Sequence, residues 1–376
     1  MTFKTYLVGG AVRDLVMGIE PKDKDYVVVG ATEQDMLDLG YKKVGADFPV
    51  FLHPETGEEY ALARVERKVA AGYHGFKVDA SKSVTLEQDL MRRDLTMNAM
   101  AMDEDGTIID PFGGQDDIKS KMIRHTSDAF EEDPVRILRA CRFAARYNFH
   151  IHPDTRAFMI SMVNRGELHH VTRERVILEF RKGLSEKHWV TMIRELTACG
   201  AADVLRPFHY GYHNVKRITN PYTFIALERE DNFLAKLALA TFGFSEMTYK
   251  DCLKWSFSTD EAKMVAAINS KEGRKFLTQQ GYRQLDAAGR VDLIRKLGLM
   301  QGEALVEVLS KLYIWFYNEE CFATSHKWLK EDIASLKSVN YEQVSIDAKE
   351  AGKPIKDEIL AAQVAQLQTT MSRPKW

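Results

Sequence analysis

Several things this chain lacks narrow the field. The four cysteines, Cys141, Cys199, Cys252 and Cys321, are scattered and form no CxxC pair. That excludes a disulfide framework and a cysteine-built zinc site, and it reads as reduced, buried thiols in a cytoplasmic protein. No apolar run approaches the roughly 18 residues that a membrane span needs. No signal-peptide pattern is expected at the N-terminus, because Lys4 is followed almost at once by a short strand and glycines. Neither sign of charge dominates, the formal net charge being −2; this argues against blanket attraction to nucleic acid but leaves room for a local basic stripe. There is no fixed-period repeat and no low-complexity linker. The glycine turn near the front, GGAVRD, does not supply the GxGxxG of a Rossmann dinucleotide binder.

What is present is an ordinary globular composition, 45% hydrophobic and 28% charged over 376 residues, long enough for two or more domains. Residues 1 to about 122 read as mixed α/β. Tyr6–Val8 is a short apolar strand, and the Gly9-Gly10 turn leads into a brief helix that ends near Gly18. Asp25–Val29 is β-branched and reads as a buried strand, and Glu59–Val65 alternates like another. Thr85 and Gln88 match a capping box that starts a helix. Asp105-Gly106, between two short apolar runs, signals a hairpin. From about residue 123 the periodicity is helical, as in Pro134–Tyr147, Asn232–Thr241 and Ile355–Met371, and no convincing strand is expected beyond 125. The fold class is an α/β head, with a small mixed sheet, followed by an all-α remainder.

The front of the head concentrates the chemistry. In a strand, side chains at i and i+2 share a face, so Asp23 and Asp25 are expected side by side. Carboxylates so close repel unless a cation lies between them, and a hard ion such as Mg²⁺ suits oxygen ligands while keeping places for water and phosphate. A solvated acidic strand end is the plainer alternative. Gly9 and Gly10 precede a helix start, where exposed backbone N–H groups can seat phosphate, and Arg13 adds a charge-assisted contact. Glu59 opens a strand that could lie beside the first and is the choice for a third acid, with Glu58 as the fallback.

These residues carry a resemblance. The stretch LVGGAVRDLVMGIEPKDKDYVVVG looks like the N-terminal signature of class II tRNA nucleotidyltransferases, the CCA-adding enzymes of the polymerase-β-like superfamily. The likeness continues through DFPVFLHPETGEEYALAR (47–64), DLMRRDLTMNAMAMDEDGTIIDPFGG (89–114) and EEDPVRILRACRFAARY (131–147). VTRERVILEF (171–180) resembles the family's neck, and beyond about 205 the match is faint. The resemblance implies a nucleotidyltransferase head over 1–122, a helical neck with base recognition over 123–205, and a helical body and tail over 206–376 that bind tRNA by shape and phosphates. It implies that Asp23 and Asp25 hold two Mg²⁺ ions, that Glu59 completes the site of the first, and that Arg93, Asp94 and Asn98 bind the nucleotide. CTP, ATP and the tRNA acceptor arm are the expected partners; no membrane and no protein partner is expected.

Choosing a base without a nucleic-acid template requires protein groups that copy a Watson–Crick partner. Cytosine and adenine both present an amine donor beside a ring-nitrogen acceptor. An acceptor-only aspartate beside a donor-only arginine admits them and leaves unpaired groups against uracil or guanine. Asp133 and Arg136, three apart on one helix, offer such a pair, and the resemblance assigns them that role. The competing reading makes Asp133 a helix cap with Pro134 at the first helical position. The resemblance also places Arg139 and Arg142 near the nucleotide. Arg139 lies about 120° around the helix from Asp133, whereas Arg142 lies about 180° away and could instead touch tRNA or brace the neck.

RKVAAGYHGFKVDASKS (67–83) resembles the flexible head loop that family members need to add A after CC, which argues against a CC-only enzyme. Some relatives carry a phosphohydrolase domain built on a His-Asp dipeptide. None occurs in this chain, and His169, His170, His209 and His213 lack ligand spacing, so no such site is expected. A poly(A) polymerase of the same superfamily, an enzyme adding only A, and a tRNA-binding protein with a disabled head are the alternatives.

Overall fold

The computed structural model describes residues 3–44, 50–68, 76–205, 214, 227–243, 247–277, 282, 284–316 and 319–371. It separates into two compact units, residues 1–204 and 205–376.

Asp25-Tyr-Val-Val-Val29 becomes the central strand of a seven-stranded mixed sheet. With β1 (Lys4–Val8), β2 (Asp25–Val29), β3 (Lys42–Val44), β4 (Val50–Leu52), β5 (Glu59–Leu62), β8 (Ala101–Met102) and β9 (Ile108–Ile109), the order is β3-β4-β5-β2-β1-β8-β9. β2 runs antiparallel to β1 and parallel to β5. Its Val27 and Val28 are each only 1% exposed. Val27 packs with Val8, Leu90, Ala99 and Ala101, and Val28 packs with Met36, Phe51 and Leu62. A strand covered on both faces needs β-branched side chains at successive positions, and this one has them.

α1 (Gly10–Val16) follows β1 directly, and α2 (Glu33–Asp38) follows β2. α3 (Leu86–Met91) starts on the Thr85–Gln88 capping box, with both reciprocal hydrogen bonds present. The hairpin at Asp105-Gly106 forms as β8 and β9, with Gly106 at φ 81°. At both ends of Arg67–Ser83 the chain forms strand, which its irregular pattern does not predict. β6 (Val65–Lys68) and β7 (Phe76–Asp79) pair as an antiparallel ribbon, while residues 69–75 between them lie outside the described residues.

α4 (Gly114–Lys119) leads to β10 (Met122–Ile123), and α5 (Val135–Tyr147) opens the helical part of this unit. Its Ile137, Leu138, Cys141, Ala144 and Ala145 are fully buried. It packs against α7 (Arg173–Leu184) and α8 (Trp189–Ala198), with α6 (Pro153–Asn164) before them and α9 (Ala201–Val204) ending the unit. The expectation of no strand beyond 125 fails at one point. β11 (His150–Ile151) pairs in parallel with β10; two residues are too few for an alternating pattern to register.

The described part of the second unit is helical. Asn232 caps a helix over Phe233–Thr241, its side chain accepting from the Ala235 amide. In the same unit Asp332, itself buried, accepts from both Arg290 (2.9 Å) and Tyr282 (2.7 Å). His209 and His213 lie outside the described residues. No helix among the described residues is long and apolar enough to cross a membrane.

Candidate active site

The acids at the mouth of β2 are arranged differently from the same-strand reading. β2 begins at Asp25, and Asp23 lies in the bend before it. The two remain coupled: crowding by protein atoms raises the Asp25 carboxyl above its ordinary value, Arg93 opposes this, and the charge of Asp23 adds to the rise. Parallel pairing sets Asp25 in register with Glu59, the first residue of β5. The next pair in that register, Tyr26 and Tyr60, stacks with ring centroids 4.5 Å apart. Among the described residues no three carboxylates, histidines or cysteines close into a cage for a metal ion. Two mutually repelling carboxylates with a third beside them are an all-oxygen donor set. Such a set fits a hard divalent cation that completes its shell with phosphate and water.

Behind β2 the segment from Asp89 to Asn98 is locked by buried polar contacts. Asp89 is 0% exposed. One of its oxygens accepts from Arg92 Nη2 (2.9 Å) and from the Arg64 amide (3.2 Å), and the other accepts from Arg93 Nη2 (3.2 Å). Burial alone would raise the Asp89 carboxyl; Arg92, Arg93 and these hydrogen bonds outweigh it and hold it below its ordinary value. Asp94 is likewise engaged on both oxygens, by Asn98 (3.0 Å) and by Arg139 (2.8 Å). Its burial is overcome chiefly by Arg139 and Asn98, and its pKa falls to about 2.

Arg13 is 5% exposed and engaged through each of its three nitrogens: Nε and Nη2 donate to Asp14, and Nη1 donates to Asn98 (2.8 Å). Its guanidinium also lies over the Phe143 and Tyr147 rings, at 5.4 and 5.2 Å. Gly9 stands at φ 69° and donates its amide to the Met100 carbonyl (3.2 Å). A Cβ there would lie 2.8 Å from Arg93 Nη1, so the glycine lets that guanidinium lie against the backbone.

Just before α5, Asp133 meets the cap expectation and also faces the cavity. Its Oδ1 accepts from the Val135 amide (3.2 Å), which caps the helix start. It also lines the same cavity as Arg136. The partner that holds its side chain is Arg175 of α7, whose two terminal nitrogens donate to its two oxygens at 3.1 and 2.7 Å. Arg136 donates to the Ala129 carbonyl (2.8 Å). Arg142 is buried, donates to Glu179 of α7 at 2.6 Å, and stacks over Phe143 at 4.4 Å. It ties α5 to α7 and is not a cavity residue, as its position on the far side of the helix dictates.

The cavity measures about 560 Å³. Of the residues singled out in the sequence, Gly9, Gly10, Arg13, Asp25, Arg93, Asp94, Asn98, Asp133, Arg136 and Arg139 line it; Asp23, Glu59 and Arg142 do not. The lining holds six arginines (13, 92, 93, 136, 139 and 175) against four carboxylates (25, 94, 133 and 179), an excess suited to a polyanion. Arg175, Leu178 and Glu179 line it unanticipated. Their i, i+3, i+4 spacing on one helix was the available signal. Asp89, the support beneath the arginines, carried no separate signal.

A small mixed sheet with a carboxylate-and-arginine cavity, packed against helices, is the setting for the likenesses to known proteins. Residues 5–124 match the family described as the poly A polymerase head domain, and residues 148–210 match the one described as the probable RNA- and SrmB-binding site of polymerase A. The chain is similar to the multifunctional CCA protein of Neisseria meningitidis serogroup A / serotype 4A, with 62% identity over 204 residues, covering 54% of this chain and 49% of that one. It is also similar to the multifunctional CCA protein of Teredinibacter turnerae, with 59% identity over 207 residues, covering 54% and 50%. The matched region thus spans about half the length of these curated relatives. Among solved structures, the Thermotoga maritima CCA-adding enzyme complexed with tRNA is similar over 87% of this chain and 78% of that one, with 25% identity and a TM-score of 0.61. Over residues 5–124 the chain is thus similar to the poly A polymerase head domain, and over about half its length to multifunctional CCA proteins.

Proposed function

We propose that this protein builds CCA on the 3′ end of tRNA without a nucleic-acid template, taking C, C and then A from CTP and ATP and releasing pyrophosphate. The observation that carries the proposal is the single cavity lined together by Asp25, Arg93, Asp133 and Arg136. It provides acid ligands, cations for a triphosphate and a matched acceptor and donor for a base within one volume.

Asp23 and Asp25, with Glu59 beside them, are the residues that would hold the divalent cations, Mg²⁺ by preference. When bound, such ions supply charge that favours the ionised 3′-hydroxyl and offsets the triphosphate. The chain's own residues do the rest. Gly9 and Gly10 open α1 so that the triphosphate can approach the backbone, and Arg13 and Arg93 set positive charge beneath it. Asp94 and Asn98, with Arg139, shape the ribose side. Asp133 accepts from the amine of cytosine or adenine while Arg136 donates to the adjacent ring nitrogen. Catalysis is then chiefly positioning plus electrostatic stabilisation of an in-line displacement. Residues 1–122 act as the head, 123–205 as the neck, and 206–376 as a body and tail that grip the tRNA acceptor arm, all in the cytoplasm.

The decisive experiment offers the purified protein each of the four nucleotides with tRNA ending before CCA, after C and after CC. Two C additions and one A, with U and G refused, are expected. The description of the matching head family favours a second reading, a poly(A) polymerase, which would add A repeatedly to all three ends. An A-adding enzyme would extend only the CC end.

A further inference from the structure

The contacts of Asp133 have a consequence for base choice, and it rests on the reading just given. A carboxylate offers about four lone-pair directions, two on each oxygen. Among the described residues, Oδ1 of Asp133 accepts from Arg175 Nη1 (3.1 Å) and from the Val135 amide (3.2 Å), while Oδ2 accepts from Arg175 Nη2 (2.7 Å). One direction, on Oδ2, is left. The fork of Arg175 also fixes the plane of the carboxylate, because two parallel N–H···O bonds allow one orientation where a single bond allows many. The clamp comes from α7, 42 residues along the chain, and Arg175, Asp133 and Arg136 all line the cavity.

We infer that Arg175 is a positioning residue for base selection: it reduces Asp133 to a single, fixed acceptor. An acceptor held this way takes one hydrogen from an exocyclic amine. It cannot turn away when a carbonyl oxygen faces it, so uracil and guanine meet an unrelieved oxygen–oxygen contact. Released from the fork, the carboxylate can rotate about its side-chain bonds and swing clear of that carbonyl, leaving Arg136 to donate to whatever oxygen is presented. Arg175 therefore acts through what it denies to Asp133, which a residue serving only to join α5 to α7 would not do.

The test compares wild type with Arg175→Ala and Arg175→Lys for C against U incorporation on tRNA ending before CCA, measured as the ratio of kcat/KM values. Lysine keeps the charge but not the fork. Both variants are expected to lose C-over-U preference by about tenfold or more, mostly through gain of U, while tRNA affinity stays within about twofold of wild type. A purely structural role predicts that C and U incorporation fall together, with the ratio unchanged, and that result overturns the inference. Recovery of the ratio in Arg175→Lys alone also overturns it, since charge and not the fork would then suffice. If Arg175→Ala does not fold, the lysine variant decides between the same outcomes. If wild type itself takes up neither C nor A, the proposed function fails first; selective wild type with equally selective variants sinks only the role of Arg175.

Discussion

Glu59 stands in register with Asp25, each at the first residue of its strand, across a parallel pair near the middle of the head sheet. Parallel neighbours are spaced by about 4.8 Å across the sheet. The two residues are therefore set side by side by the backbone ladder, and the loop acid Asp23 bears on Asp25.

Asp25→Ala and Asp23→Ala are each expected to cut nucleotide incorporation by about 10²-fold or more, with tRNA affinity within about twofold of wild type because cationic side chains carry that binding. Incorporation kinetics and filter binding read the two effects separately. An Asp25→Ala variant of near-normal activity would contradict the assignment.

Asp94 allows a pH test. Its folded-state pKa, about 2, lies below the ordinary 3.8. Its ionic contribution is thus present above about pH 4 and is lost as the pH falls from there through about 2. Asp94→Asn should cost about 2 kcal/mol at pH 7, and the gap from wild type should narrow progressively below pH 4. Urea denaturation at pH 7, 4 and 3 measures it, and a gap that stays constant across this range counts against the Asp94–Arg139 pairing.

Gly9→Ala meets two obstacles at once, a φ of 69° and an Arg93 nitrogen 2.8 Å from the new methyl. The expected result is a loss of about 1 kcal/mol in stability together with a raised KM for nucleotide, since Arg93 must move. Equal KM values for variant and wild type would mean that Arg93 does not contact the nucleotide.

Arg142→Ala removes the closest ionic partner of the buried Glu179, and breaking a buried pair from one side costs about 3–5 kcal/mol. Arg136→Ala removes a donor to a backbone carbonyl, that of Ala129. The first should lower Tm with C-over-U preference intact, and the second should erode that preference with little change in Tm. Calorimetry paired with the incorporation ratio separates them.

What was legible in the sequence is what depends on near neighbours. The Thr85–Gln88 cap, the Asp105-Gly106 turn and the β-branched Asp25–Val29 strand are set within a few residues, and each forms where its pattern places it. The helical angle that separates Arg142 from Asp133 is equally local. The placement of Asp23 was misread because a strand's first hydrogen bond depends on its partner: β1 reaches only as far as Asp25, opposite Val8. The Asp133–Arg175 fork joins residues 42 apart. The burial of Asp89 depends on how α3 meets the backbone of Arg64. No spacing rule reports either, since both follow from tertiary packing.

The two-residue ladder between β10 and β11 has a mechanical consequence. α5 is pinned at its start by Arg175 through Asp133, and just past its end the chain is stitched back onto β10 at Met122–Ile123. Fastened at both ends, this helix behaves as a fixed jaw. On the proposed function, accommodating a purine where a pyrimidine sat before then falls to side chains other than the clamped Asp133, as a caliper is reset by its screws while the frame keeps its shape.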